Sequence, residues 1–366
     1  VWAQVKGAVD HYREHFGRAP TGIWLPECGV YPGLDSLLAA AGLRYIVVDL
    51  HALLLARPRP RYGNYAPIFC GDSGIAAFGR DMESSLQVWS REHGYPGDPV
   101  YREFYRDIGF DLDLDYVRPH IQPDGTRKNT GIKYHRITGP TEHKELYDPY
   151  WAREKAFEHA ANFVFNRERQ IEHLAATMGR APIVVSPYDA ELFGHWWYEG
   201  PAWLDGLLRK SAQDQQVYSL TTLAGYLRAN DTQQTAWPAQ SSWGDRGFHE
   251  FWLNSTNEWV YPHLHKSAER MIALAQDFSE AEGLAARALN QAARELLLAQ
   301  SSDWAFIMRT GTMVDYAVGR TRSHLRRFLR LHDSIRSGSI DEEWLSRLEA
   351  VDNIFPSLDY RVYRPR

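Results

Sequence analysis

Two carboxylates, Glu27 and Asp189, each stand shortly after an apolar run, Gly22-Ile23-Trp24-Leu25 and Pro182-Ile183-Val184-Val185. Apolar runs of this length between breakers read as buried strands, and in parallel α/β folds the carboxyl ends of strands converge on the ligand crevice. Two acids reaching one crevice from different strands are the pair that glycoside chemistry needs, one of them supplying a proton to the departing oxygen. The plainer alternative is that Glu27 and Asp189 are helix caps or loop carboxylates.

The surroundings of Asp189 favour chemistry. The run from Ser186 to Gly200, SPYDAELFGHWWYEG, crowds acids, His195 and aromatic rings including Trp196 into one stretch. Apolar walls disfavour the charged form of a carboxylic acid and keep a proton available near neutral pH. His195 either donates to a sugar hydroxyl, orients Asp189, or is an ordinary partnered histidine; Glu191 reads as a supporting hydrogen bond or a cap. The chain as a whole carries 13 Trp and 20 Tyr, rings that suit surfaces stacking on sugars or bases as well as filling a large core.

The elements that must position these groups are partly legible. Val5, Val9, Tyr12 and Phe16 predict an amphipathic first helix stopped by Gly17 and Pro20, an apolar helix spans Leu34 to Ala41, and Tyr45-Ile46-Val47-Val48 reads as a second buried strand. Strand, helix, strand with continuous apolar strands is parallel α/β. Residues 56–145, with the stretch Arg57-Pro58-Arg59-Pro60-Arg61 and few long apolar runs, read as extended loops or an inserted subdomain. Asp148 as N-cap, Pro149 in the first turn, Phe157, Ala161, Val164, Ile171, Leu174 and Met178 at helical spacing, and Gly179 as stop predict a long helix. The polar stretch at 229–240 reads as a boundary, which divides the chain into a catalytic part, 1–235, and a helical part, 236–366, where Leu289, Ala293, Leu296 and Leu297 make one apolar face.

Composition excludes other classes. With 366 residues, 44% hydrophobic and 24% charged, the chain is neither disordered nor a small stapled scaffold, and no run approaches the roughly 18 apolar residues of a membrane span. A net charge of −5 without a basic block argues against nucleic acid as partner. Cys28 and Cys70 are the two cysteines; they make neither a disulfide framework nor a zinc site, and point to a reducing, cytoplasmic setting. His263 and His265 alternate on a helix and do not share a face, and neither a G-x-G-x-x-G nor a phosphate loop is found. No metal and no cofactor are expected.

The segments WLPECGV (Trp24–Val30) and SPYDAELFGHWWYEG (Ser186–Gly200) resemble the third and fourth conserved segments of glycoside hydrolase family 57. SLQVWSREHGYPGDPVYREFYRDIG and SSWGDRGFHEFWLN resemble the α-1,4-glucan branching enzymes of that family. The resemblance runs from Gly22 into the helical region. It implies a (β/α)7 barrel followed by a helical domain, with Glu27 as nucleophile and Asp189 as general acid/base of a retaining reaction, hence carboxyl groups about 5–5.5 Å apart. It also implies an α-1,4-glucan as partner, with the glucosyl ester opened by a 6-hydroxyl to make an α-1,6 branch. Trp243 and Trp252 match tryptophans that bind substrate, and Phe110 stands where relatives often carry Trp. The family's early H-x-P strand is missing and only one helix precedes Glu27, so an incomplete barrel is expected, with doubtful activity for these residues alone. An α-amylase or 4-α-glucanotransferase with the same carboxylates, or a non-catalytic glucan-binding protein, are the competing readings.

Overall fold

The computed structural model describes residues 1–365. Helix α1, Trp2–Phe16, ends at Gly17 in the left-handed conformation; strand β1 is Gly22–Trp24, α2 Leu34–Ala40, β2 Tyr45–Val48 and α3 Leu50–Leu54. A hairpin follows, β3 Ile68–Cys70 and β4 Ile75–Gly79. Then come α4 Met82–Trp89, the short α5 Ile108–Asp111 and α6 Leu114–Val117, the long α7 Pro149–Met178, α8 Gly200–Gln213 and α9 Leu223–Ala229. Strand β5, Gln234–Ala236, precedes five helices: α10 Val260–Asp277, α11 Gly283–Ala299, α12 Ser302–Thr310, α13 Val314–Ser337 and α14 Glu342–Val351.

The chain divides into two compact units, neither continuous in sequence: Val1–Arg59 with Ile68–Ala77 and Thr235–Arg366, and Pro60–Pro67 with Phe78–Gln234. In the first, the strands lie in the order β1-β2-β4-β3-β5, an open mixed sheet. β1 and β2 pair in parallel, Ile23 opposite Ile46, as two apolar strands joined by a helix require. β3 and β4 are antiparallel, Ile68 opposite Ala77. Val5 and Val9 of α1, Leu34 and Leu38 of α2, Ile46, Val48, Ile68, Ile75 and Ala236 form one core. A second core joins Met271 and Leu274 of α10, Leu289 and Leu296 of α11, Phe328 and Leu331 of α13 and Leu345 of α14.

Three differences from the sequence reading have physical causes. The 56–145 region supplies two sheet strands: Ile68-Phe69-Cys70 and Ile75-Ala76-Ala77 are too short and too alanine-rich to register as apolar runs, yet tertiary pairing makes them strands. The polar stretch at 229–240 contains β5, whose Ala236 carbonyl accepts from Gly71 N at 3.2 Å; a strand held by main-chain bonds has no need of apolar side chains throughout. Residues Pro182–Val185 are extended but not a strand: Ile183 N donates to Tyr65 O and Asp81 N to Val185 O, two isolated bonds instead of a ladder. On α1, Phe16 is 64% exposed and outside the core.

The second unit is built on α7. Asp148 caps it by accepting from Tyr150 N and Trp151 N, and Gly179 ends it. Its buried face is Ala152, Ala156, Ala160, Phe163 and Val164, and not Ala161, which faces solvent. The alanines let α8 approach closely, and Trp203 of α8 packs fully buried among Phe163, Phe193 and Trp197. Tyr95 stacks on His159 of α7 at the end of a turn whose Gly97 sits against main chain: an added Cβ would meet Arg91 O at 1.7 Å. Gly97→Ala should therefore destabilise by about 1–3 kcal/mol, read as a lower urea midpoint; an unchanged midpoint would show that this turn opens freely. Among the described residues no helix is long and apolar enough to cross a membrane.

Candidate active site

Glu27 lies in a single 3-10 turn, Pro26–Cys28, at the carboxyl end of β1. Its backbone is left-handed, φ 59° and ψ 20°, and Cys28 follows at φ 50°. Left-handed backbone costs an L-residue roughly 1–2 kcal/mol, and two such residues in succession persist only where surrounding bonds over-determine them, as at functional sites. Here Trp243 N donates to Glu27 O at 2.9 Å, and Val30 and Ser241 exchange main-chain bonds on the far side of the turn. Cys28 is fully buried, its sulfur 3.1 Å from the Trp24 indole nitrogen.

Both carboxylate oxygens of the half-buried Glu27 are held. Trp243 Nε1 donates to Oε2 at 2.7 Å and Ser302 Oγ to Oε1 at 3.0 Å. Trp24 meets Trp243 edge-on, ring centroids 5.3 Å apart. The loop carrying Trp243 is itself fixed: Ser242, fully buried, takes its N–H to Gly247 O and its hydroxyl to Phe248 O, and His51 Nε2 donates to Gly247 O at 2.7 Å while Asp49 lies 3.2 Å from His51 Nδ1. Gly247, at φ 81°, lies so close to His51 that a Cβ would come within 2.6 Å of its Nε2. Trp252 is 9% exposed and packs against Gly244, its indole N–H buried without a hydrogen-bond partner among the described residues.

In the second unit, Asp189 is half-buried and precedes a 3-10 turn, Ala190–Leu192, without capping it through its side chain. Its segment is clamped to both ends of α4. Ser186 Oγ and Ser84 Oγ lie 2.6 Å apart, the Tyr188 hydroxyl donates to Ser84 O at 3.0 Å, and Trp89 Nε1 donates to Pro187 O at 3.3 Å. Burial pushes the Tyr188 hydroxyl far above its ordinary value, so it stays a donor. Leu192 N donates back to Asp189 O. The aromatic run divides: Trp197 is core, Trp196 is half-buried and lines a recess of about 150 Å³ with Trp89, Glu191 and Leu192, and Tyr198 is exposed with Arg102 over its ring at 3.8 Å. His195 is exposed, edge-on to Phe104.

Phe110, on α5, is 53% exposed. The buried Asp107 shapes this corner by accepting from Gly109 N, Thr130 N, Thr130 Oγ1 and Gly131 N. Burial alone would raise its carboxyl, but these bonds outweigh it and hold the group below the ordinary carboxylate range. Among the described residues, two groups bring three ligating side chains within 4.8 Å, His11, Glu14 and His15 on α1, and Glu295, His324 and Asp352. In the latter, Arg320 and Arg327 already supply the positive charge.

Residues 1–233 match the glycosyl hydrolase family 57 model, and residues 263–363 the 1,4-alpha-glucan branching enzyme C-terminal model. The chain belongs to glycosyl hydrolase family 57. Its open α/β sheet is an incomplete barrel of that family, followed by a helical C-terminal part. A 1,4-alpha-glucan branching enzyme of Thermococcus kodakarensis is 34% identical over 97% of this family 57 chain and 54% of its own length. The chain thus spans about half of that relative. A structure described as a novel alpha-amylase from Thermotoga maritima is 47% identical with a TM-score of 0.90, covering 100% of this chain and 69% of that one. A branching enzyme of the same family from Pyrococcus horikoshii is 34% identical with a TM-score of 0.87, covering 100% and 68%.

Ser302 is the residue of this site that sequence reading missed. A serine opening a helix reads as a cap, and nothing in its spacing points to a carboxylate 275 positions away.

Proposed function

We propose that the full-length protein is a retaining α-1,4-glucan branching enzyme with Glu27 as nucleophile and Asp189 as general acid/base. The observation that carries this reading is the double anchoring of Glu27 by Trp243 and Ser302. Ser302 lies within residues 263–363, which match the branching-enzyme C-terminal model, and Trp243 comes from the segment before that match. A carboxylate anchored on a strained turn is what a nucleophile needs and what a mere strand-end acid does not.

In the first step a Glu27 oxygen attacks the anomeric carbon, the glycosidic C–O bond breaks, and Asp189 gives its proton to the departing 4-oxygen. In the second, the 6-hydroxyl of an acceptor glucan attacks the same carbon, its proton passes to Asp189, and the Glu27 carboxylate leaves. Water in place of the acceptor gives hydrolysis, so branching depends on surfaces that prefer sugar to water. Trp243, Trp252, Trp196, Phe110 and His195 are assigned to glucan binding. Residues 1–235 carry the catalysis and 236–366 complete the nucleophile's surroundings. The partner is an α-1,4-glucan, amylose or a glycogen-like polymer. Two buried cysteines held as thiols, Cys28 and Cys70, support a cytoplasmic setting.

The 47% identity to a structure described as an alpha-amylase favours one alternative, hydrolysis by the same carboxylates. Incubating the full-length protein with amylose separates the two. The expected product carries α-1,6 linkages by proton NMR and releases shorter chains on debranching. Reducing sugar alone, or longer linear chains alone, would overturn the branching assignment, and glucan binding without turnover would overturn the enzyme.

A further inference from the structure

We infer that Ser302 is a positioning residue for the nucleophile, acting through its hydroxyl on Glu27 Oε1; this rests on the assignment of Glu27 above. The hydroxyl lies 3.0 Å from Oε1, on the oxygen that Trp243 does not bond. A carboxylate held on one oxygen still rotates about its last bond; held on both by different elements, it keeps one orientation and one lone pair free toward the substrate.

Ser302 is well placed to be rigid. It is the first residue of α12, and the first turn of that helix is pinned twice: Trp304 Nε1 donates to Leu298 O at 2.8 Å, and the buried Asn257 Nδ2 to Ala305 O at 3.1 Å. Ser301, the residue before it, uses its own hydroxyl on Asp303, leaving that of Ser302 for Glu27. The helix start also brings a favourable dipole end to the carboxylate. A hydroxyl on an ionised oxygen is a charge-assisted bond, stronger than a neutral one. It orients Glu27 in the first step, and it stabilises the returning carboxylate when the glycosyl ester opens in the second.

The test uses the full-length protein with two donors, amylose and α-maltosyl fluoride, whose fluoride leaves without a proton. Ser302→Ala should lower kcat about 10- to 100-fold on both donors, with KM within about threefold and an unchanged melting temperature. Ser302→Thr, which keeps the hydroxyl, should restore most of the rate. An unchanged kcat in Ser302→Ala, or a Thr variant as slow as Ala with both melting like the parent, would overturn the positioning role. A fall in melting temperature accompanied by equal losses in Ala and Thr would reduce Ser302 to a packing residue and also overturn it. Glu27→Ala is run alongside: if it stays active, the nucleophile assignment itself has failed, whatever Ser302 does.

Discussion

Glu27→Gln in the full-length protein should lower turnover of amylose by on the order of 10⁴-fold or more while glucan binding persists. The amide is no nucleophile, and its NH2 must either face the Trp243 indole, a donor only, or turn the Ser302 hydroxyl from donor to acceptor. Asp189→Asn should be equally slow on amylose but should release fluoride rapidly from α-maltosyl fluoride, because that leaving group needs no acid. Single-turnover fluoride release then distinguishes the two carboxylates. Full activity in either variant on amylose would remove the corresponding role, and a slow fluoride burst in Asp189→Asn would transfer Asp189 from proton donation to binding.

The second large effect is on stability. Glu295, on α11, and His324, on α13, are fully buried and bonded at 2.7 Å. Arg320 donates to His324 Nε2 at 3.0 Å, so the imidazole carries its proton on Nδ1 and gives it to Glu295; Gln291 donates to the other Glu295 oxygen. Asp352 pairs with Arg327, so two arginines balance two carboxylates. His324→Ala strands the Glu295 carboxylate and opens a cavity, and should cost about 3–5 kcal/mol in urea unfolding followed by circular dichroism. Glu295→Gln keeps an acceptor for Nδ1 and should cost only about 1 kcal/mol. Burial raises the Glu295 carboxyl above its ordinary value of 4.5. The native state therefore holds that proton more tightly than the unfolded chain does. This contribution to stability is complete below 4.5 and fades as pH climbs through the raised value. Glu295→Gln should flatten that slope, and a slope equal to the parent's would place the pH dependence elsewhere.

Local signals made much of this fold legible. Asp148, Pro149 and Gly179 delimit α7 because caps and stops act through neighbours a few residues away. β1, α2 and β2 follow from apolar runs that must be buried on both sides. The hairpin β3–β4 and strand β5 were not legible, since their main-chain partners lie far off in sequence and their side chains carry little pattern. Likewise the aromatic run after Asp189 reads as one sugar-stacking surface, whereas packing against α7 and α8 takes Trp197 into the core and leaves Trp196 half-buried.

For the candidate site, residue types and short motifs alone singled out Glu27 and Asp189, because the kind of acid and its place after an apolar run are local properties. Only the tertiary structure decided how Glu27 is held: a left-handed turn, an indole from residue 243 and a hydroxyl from residue 302. Hydrogen bonds between groups more than two hundred positions apart leave no periodicity in the chain; they exist only once folding has brought their donors and acceptors within 3 Å.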